Sequence, residues 1–180
     1  MRRNGWISGT ATLLVLVMAG LTQAGEGVPT KVMVRAVSRD AKVIGTNVGG
    51  ARITIRDVAS GAVLAEGIQK GGTGSTDLIM VRPRARGATV FDTAGTAGFL
   101  ATLTLERPTV VEVTAEGPLG TPQSTQRASK TLLLVPGQDV LGEGIILEIH
   151  GFTVDLLSPT AHAHVSVRFP VEVRATVTMT

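Results

Sequence analysis

Cysteine and tyrosine are absent from this chain of 180 residues, and its only tryptophan, Trp6, lies close to the start. Without cysteine there is no disulfide bond and no thiol for a lipoprotein anchor, so apolar burial and backbone pairing must hold the fold. Four phenylalanines are the only other aromatic residues. Because proteins that bind single-stranded nucleic acids stack bases on aromatic rings, the composition disfavours that class, and it disfavours sugar-binding surfaces as well.

A strong charge of one sign is also missing. The chain carries 17 basic and 14 acidic side chains. Arg2 and Arg3 belong to an N-terminal segment that we expect to be removed, which leaves 15 basic against 14 acidic side chains. A nearly neutral domain lacks the positive field typical of nucleic-acid binding, so no nucleic-acid partner is expected.

The N-terminus has the three parts of a secretion signal: the basic pair Arg2 and Arg3, an uncharged apolar run over residues 7–21, and small residues up to Ala24. The run is shorter than the roughly 20 residues of a spanning helix, which favours cleavage over an uncleaved anchor. We therefore expect a signal peptide at residues 1–24. Residues 25–180 are then a single exported domain, periplasmic or extracellular, with no stable membrane span.

Beyond this signal, apolar and polar residues alternate in short runs. The clearest run is C-terminal, where Val171, Val173, Ala175, Val177 and Met179 alternate with charged residues and threonines. Successive side chains of a strand point to opposite sides, so this run predicts a strand with one buried face. Similar patterns predict strands at 51–56, 99–105, 111–116, 145–150 and 162–169, and shorter runs predict strands at 31–37, 62–66, 78–81 and 131–135.

Glycine and proline clusters separate these runs, and no stretch beyond the signal has the periodicity of a helix. Short strands at turn-limited spacing predict an all-β fold, an antiparallel β-sandwich of immunoglobulin-like or similar kind, with a closed barrel as the alternative. Residues 82–98 are the least regular and are expected to form a long loop.

One segment resembles a known group of proteins. Ala51 to Asp57, the Ser60-Gly61 turn, residues 62–67 and the glycine cluster at 71–74 are similar to the transthyretin-like or carboxypeptidase-regulatory-like β-sandwich. The resemblance implies a transthyretin-like sandwich in a structural, carrier or binding module. Enzymes of that group that act in purine degradation end in Tyr-Arg-Gly-Ser, whereas this chain ends in Thr-Val-Thr-Met-Thr, so the resemblance does not imply their activity.

The histidines are the candidate metal ligands. His162 and His164 are two residues apart, a spacing that places both imidazoles on one face of a strand, and His150 lies on the polar side of another predicted strand. Imidazole is a good ligand for copper and zinc. If the two strands were neighbours, the three nitrogens could converge on one ion. The alternative is that all three are solvent-facing polar residues.

Three arginines, Arg82, Arg84 and Arg86, are the candidate contacts for an anion or an acidic partner. In extended backbone they would share one side, and the guanidinium group matches carboxylate and phosphate oxygens. The alternative is a solvated loop or a sheet edge protected from aggregation by charge and proline.

No catalytic residues are predicted, because the chain has no nucleophile elbow of the form Gly-x-Ser-x-Gly and no other catalytic spacing. The favoured function is an exported, non-enzymatic binding, carrier or assembly module without a cofactor, whose partner is another protein or a small ligand. A periplasmic copper or zinc binding protein that uses the histidines is one alternative, and an uncharacterised hydrolase is another.

Overall fold

The computed structural model of the chain describes residues 26–39, 41–166, 168 and 170–179, so the predicted signal peptide lies outside the described residues. Within them, no helix is both long and apolar enough to cross a bilayer. Helical turns lie at Thr46–Val48, Asp77–Val81 and Pro122–Ser124. The strands are β1 (Val28–Ser38), β2 (Ala51–Asp57), β3 (Val63–Gln69), β4 (Phe99–Leu105), β5 (Thr109–Gly117), β6 (Gln126–Leu134), β7 (Val140–Ile149), β8 (Phe152–Ser158) and β9 (Arg174–Met179).

Strands β1 to β7 form two sheets that pack against each other, so the predicted all-β sandwich is confirmed. The smaller sheet has the order β4-β1-β7 and the larger sheet the order β3-β2-β5-β6. All neighbouring strands are antiparallel except β1 and β7, which are parallel, a departure from the expected purely antiparallel arrangement. The segment between β6 and β7 carries the chain from the larger sheet to the smaller one, where β7 runs beside β1.

The core lies between the two sheets and is built by the predicted alternation. Every second residue of β2, β4, β5 and β7 faces the interior, and β1 at the centre of the smaller sheet is buried along most of its length. Because both sheets supply aliphatic side chains of similar size, they interlock without disulfide bonds. The largest contributors include Val32, Val34, Ile44, Ile53, Ile55, Leu103, Val111, Val113, Leu134 and Leu147.

The turn between β2 and β3 lies in the segment that resembles transthyretin-like proteins. The Asp57 carboxylate accepts a hydrogen bond from the backbone N–H of Ala59 at 2.8 Å and a longer one from that of Ser60. The Ala59 bond, followed by the Ser60 side chain, lowers the pKa of Asp57 below its usual value of 3.8. Since the fold favours the charged form, this stabilisation is present at neutral pH and is lost as the pH falls through the lowered pKa.

Two of the predicted strands are wrong within the described residues. Residues 78–81 form a helical turn instead of a strand, in which the Arg82 N–H donates to the Asp77 carbonyl oxygen at 2.9 Å and only Ile79 is buried. Residues 162–166 belong to no strand, while Val167 and Phe169 lie outside the described residues. The long loop is confirmed, because residues 82–98 contain neither helix nor strand apart from two isolated bridges.

Strands β8 and β9 form a separate two-stranded ribbon beyond the sandwich. The alternation does not predict β8, and the predicted buried face of the C-terminal strand is wrong, because residues 171–179 are all exposed. An alternating pattern shows which side chains share a face, but it does not show whether another part of the chain covers that face.

Candidate functional site

The structure gives the three predicted arginines different surroundings. Arg82 forms an exposed ion pair with Asp77 at 2.6 Å. The guanidinium carbon of Arg84 lies 5.4 Å from the centre of the Phe91 ring, and Arg84 Nη2 donates to the Ile79 carbonyl oxygen at 3.2 Å. Arg86 is exposed farther along the same loop. Of the three, Arg84 is the one that lines a cleft.

This cleft has a volume of about 460 Å³, within the range of small-molecule binding sites. It lies between the end of β1, the helical turn Asp77–Val81, the loop 82–98 and the end of β7. Its walls are formed by Val37, Ser38, Arg39, Ala41, Ile79, Met80, Arg84, Phe91 and Glu148. We call it the Arg84 cleft.

The exposed lining of the Arg84 cleft is mostly polar, and its apolar part, which we call the floor, is formed by Val37, Ile79 and Phe91. Val37 and Ile79 belong to a small hydrophobic cluster, separate from the main core, against which Phe91 packs. Because Val37 and Ile79 are only 3% and 5% exposed, a bound molecule would meet mainly the half-buried Phe91 ring there. Burying apolar surface there would contribute about 25 cal/mol for each Å² removed from water.

The rim of the Arg84 cleft is charged. Arg39 Nε and Glu148 Oε1 form an ion pair at 2.7 Å in which both side chains are about half exposed or more. Such exposed pairs stabilise a fold by little, since water screens them. Arg84 forms no ion pair with any carboxylate in the described part of the chain, so its positive charge is not neutralised locally.

Two buried or half-buried charged residues hold the loop that carries Arg84 and Phe91. Arg35, on β1, is only 3% exposed; its Nη1 donates to the Ala97 carbonyl oxygen at 2.8 Å and its Nη2 to Asp92 Oδ1 at 2.7 Å. The Glu143 carboxylate accepts hydrogen bonds from the backbone N–H groups of residues 90–92, including that of Phe91 at 2.9 Å. These contacts fix the position of a loop that has no regular structure of its own.

The histidines are not brought together. His150 is exposed just after β7, where its backbone N–H donates to Gln126 Oε1 at 3.2 Å. His162 lies in a turn with a φ of 63°, and His164 follows in irregular backbone. Neither belongs to a strand, so the alternation argument for a shared face does not apply to them. Among the described residues, no three His, Cys, Asp or Glu side chains form a group that could hold a metal ion.

No pair of a base and a nucleophile is assembled in the described ranges either. The hydrogen bonds found there include none between a histidine side chain and a serine hydroxyl or a carboxylate. The Arg84 cleft presents a guanidinium group at its rim, the Phe91 ring beside it and the aliphatic side chains of Val37 and Ile79.

Several residues of the site are not predicted from the sequence. The pattern singles out Arg84 but not Phe91, Arg39, Glu143 or Arg35. Arg35 does have a usable signal, because a single arginine in the apolar run from Val32 to Val37 requires a buried partner. No comparable signal marks Phe91, whose place in the cleft depends on long-range contacts.

Comparisons with protein-family models, with curated proteins and with solved structures found no match to this chain. Membership of the transthyretin-like group therefore stays a prediction.

Proposed function

We propose that this chain is an exported, non-enzymatic binding module that holds a small amphipathic carboxylate in the Arg84 cleft. The observation that supports the proposal is the stacking of the Arg84 guanidinium on Phe91 above an apolar floor, in a cleft of about 460 Å³. The carboxylate of such a ligand would contact Arg84, and its apolar part would contact the floor.

The preference for a carboxylate follows from the hydrogen-bond donors that Arg84 has available. A guanidinium group has five N–H donors, and the hydrogen bond to the Ile79 carbonyl oxygen uses one of them. The planar fork of the remaining donors matches the two oxygens of a carboxylate. Stacking on Phe91 restricts the orientation of the fork, which lowers the entropy lost when an anion binds.

The preference for an apolar body follows from the cleft floor and from the charges at the rim. Glu148 repels a second negative charge and already engages Arg39, so a dianion or polyanion gains little there. A single carboxylate can face Arg84 while its hydrocarbon part contacts Val37, Ile79 and Phe91.

Export is the second part of the proposal, and it is supported by the sequence of residues 1–24, which has the parts of a secretion signal. When the full chain is expressed in a bacterium, we expect the mature protein to be recovered from the periplasm or the medium with Gly25 at its N-terminus. N-terminal sequencing and the intact mass measure this directly. Recovery of the unprocessed chain from the cytoplasm would contradict the export part alone.

Binding is tested with octanoate as the probe and octanol as its uncharged analogue. We expect octanoate to bind with a dissociation constant of about 0.1 mM or lower, which corresponds to roughly 5.5 kcal/mol, and octanol to bind at least about tenfold more weakly. Chemical-shift changes in the amide NMR spectrum measure both affinities and show whether the shifts cluster around Arg84 and Phe91.

Arg84→Gln is the variant that tests the role of the guanidinium group, and Arg86→Gln is its matched control on the same loop. We expect Arg84→Gln to weaken octanoate binding at least about tenfold, a loss of about 1.4 kcal/mol, and Arg86→Gln to leave it unchanged within about twofold. Equal weakening by the two variants, or no saturable shift up to about 5 mM octanoate, would show that the cleft does not bind this class of ligand.

A further inference from the structure

The ribbon of β8 and β9 has one face made only of apolar side chains. In its register Phe152 pairs with Met179, Val154 with Val177 and Leu156 with Ala175. Two residues that pair directly across neighbouring strands share a face, and so does every second residue along each strand. We call these six residues the ribbon face, and all of them are exposed, the five larger ones by 49% to 62%.

The opposite side of the ribbon carries Asp155, Thr176 and Thr178, which are exposed, and it contacts the sandwich at the Thr153 end. Thr153 is buried, and together with Thr178 it lines a small cavity with Val48, Gly120 and Thr121 at the sandwich surface. The turn that leads into the ribbon is fixed as well, because Gly151 is buried so close to the Arg39 carbonyl oxygen that a Cβ would collide with it. The ribbon face therefore points away from the sandwich, and no part of the described chain covers it.

This distribution is unusual for a soluble surface. Of the 19 large hydrophobic residues that are exposed in the described part of the chain, nine lie between Phe152 and Met179. A two-stranded ribbon by itself is marginally stable in water, and it gains stability when a further layer covers its apolar face. Contiguous apolar patches of several hundred Å² mark interaction sites on proteins.

We propose that the ribbon face is the interface at which two copies of this chain pair, face to face, about a twofold axis. A patch whose members are all aliphatic, sulfur-containing or aromatic is complementary to itself, as a twofold interface requires. Its exposed area is on the order of 500 Å² per copy, so complete burial of both patches would remove about 1,000 Å² from water, the minimum for a specific interface and the size of a weak dimer. The central pair, Val154 and Val177, lies nearest the axis.

The composition of the ribbon favours a second copy of the chain over a membrane surface as the partner of the ribbon face. Surfaces that bind lipid are typically rimmed by lysines and arginines and carry tryptophan or tyrosine at the interface. The two strands contain one basic residue, Arg174, together with the acidic Asp155, and neither tryptophan nor tyrosine. A second ribbon of the same composition fits this face better than anionic headgroups do.

Face-to-face packing also fits the chemistry of the strand edges. Pro159 directly follows β8, and Pro170 lies four residues before β9. Prolines near the ends of edge strands oppose pairing with further strands. Pairing at the edges would moreover leave the ribbon face in water, whereas packing face to face removes it.

The test compares Val177→Lys, on the ribbon face, with Thr176→Lys, the adjacent position on the other face. We expect the purified mature chain to sediment as a dimer at micromolar concentrations. Val177→Lys should raise the dimer dissociation constant at least about tenfold, or about 1.4 kcal/mol, while Thr176→Lys changes it less than about twofold. A monomeric wild-type chain at about 0.1 mM, equal effects of the two lysines, or open-ended oligomers would overturn the proposal.

A milder pair of variants keeps the test decisive if a lysine perturbs folding. Sheets packed face to face lie about 10 Å apart, too far for a direct disulfide but within reach of a short bismaleimide. Because the chain has no native cysteine, Val177→Cys should be cross-linked to a covalent dimer by this reagent, and Thr176→Cys should not. Cross-linking of both or of neither would contradict the proposed interface, as would wild-type protein that stays monomeric and sediments with vesicles of phosphatidylcholine and phosphatidylglycerol.

Discussion

Replacing Gln69 by leucine is expected to lower the free energy of unfolding by roughly 3–4 kcal/mol, the largest effect of any single change considered for this chain. Gln69 ends β3 and is fully buried. Its Oε1 accepts a hydrogen bond from the Ala36 N–H at 2.7 Å, and its Nε2 donates to the carbonyl oxygens of Ala36 at 3.0 Å and of Ile44 at 2.8 Å.

The position of these hydrogen bonds explains why the loss is large. The pairing of β1 with β4 ends at Val34 and Phe99. Beyond this point, the side-chain amide of Gln69 forms hydrogen bonds with both the N–H and the carbonyl oxygen of Ala36, in place of a neighbouring strand. Leucine has a similar volume but leaves the Ala36 N–H and the Ile44 carbonyl without these partners. The Ala36 carbonyl keeps the Ile44 N–H at 3.1 Å. Each buried group left unpaired costs about 1–3 kcal/mol.

Urea unfolding followed by far-ultraviolet circular dichroism measures this loss. Gln138→Leu, at an exposed glutamine, is the matched control and should change stability by less than about 0.5 kcal/mol. A Gln69→Leu protein within about 1 kcal/mol of the wild type would show that the amide is not an essential link between the sheets.

Replacing Arg35 by methionine is expected to detach the loop 82–98 from the sandwich. The substitution keeps an unbranched apolar stem but removes the hydrogen bonds to the Ala97 carbonyl oxygen and to Asp92. Leaving a buried carbonyl unpaired should lower the free energy of unfolding by about 2–3 kcal/mol. The loop keeps its hydrogen bonds to Glu143 and to the Gly72 backbone, but without the Arg35 anchor its local opening should increase more than this global loss alone predicts.

Limited digestion with trypsin reports on the loop directly, since Arg84 and Arg86 are cleavage sites within it while Arg82 precedes a proline. We expect cleavage after these two arginines to be at least about tenfold faster in Arg35→Met, in keeping with an opening free energy reduced by about 1.4 kcal/mol or more. Octanoate binding should be lost in the same protein, because Arg84 and Phe91 are no longer positioned.

Arg52→Met, at an exposed arginine of β2, is the matched control and should leave both the trypsin pattern and octanoate binding unchanged. If the loop of Arg35→Met were cleaved at the wild-type rate, Arg35 would not be its anchor. If the loop opened while octanoate still bound, the Arg84 cleft would not be the binding site.

The strands of the sandwich could be predicted because each has its own local signal. Residues 51–56 and 99–105 alternate between apolar and polar residues over their full length, and the structure contains strands at Ala51–Asp57 and Phe99–Leu105. The run 78–81 has no alternation, and it is too short to distinguish a strand from a helical turn. Its conformation depends on Ile79 filling the small cluster under the loop.

The candidate site was predicted only in part, because it is assembled from distant segments. The arginine-rich stretch indicated an anion contact, yet the sequence does not show that Arg84 stacks on Phe91, seven residues later, while Arg82 pairs with Asp77. The cleft also needs Arg39 and Glu148, which are 109 positions apart. No local sequence pattern indicates such a contact.

By itself, the sequence determined the all-β class, the positions of most strands and which of their side chains share a face, because alternation is a property of neighbouring residues. The tertiary structure alone decided which faces are covered. The apolar face of β5 packs in the core, whereas the equally regular face of β9 meets water. Burial of a strand face requires a second layer, and the chain supplies that layer to the sandwich but not to the ribbon.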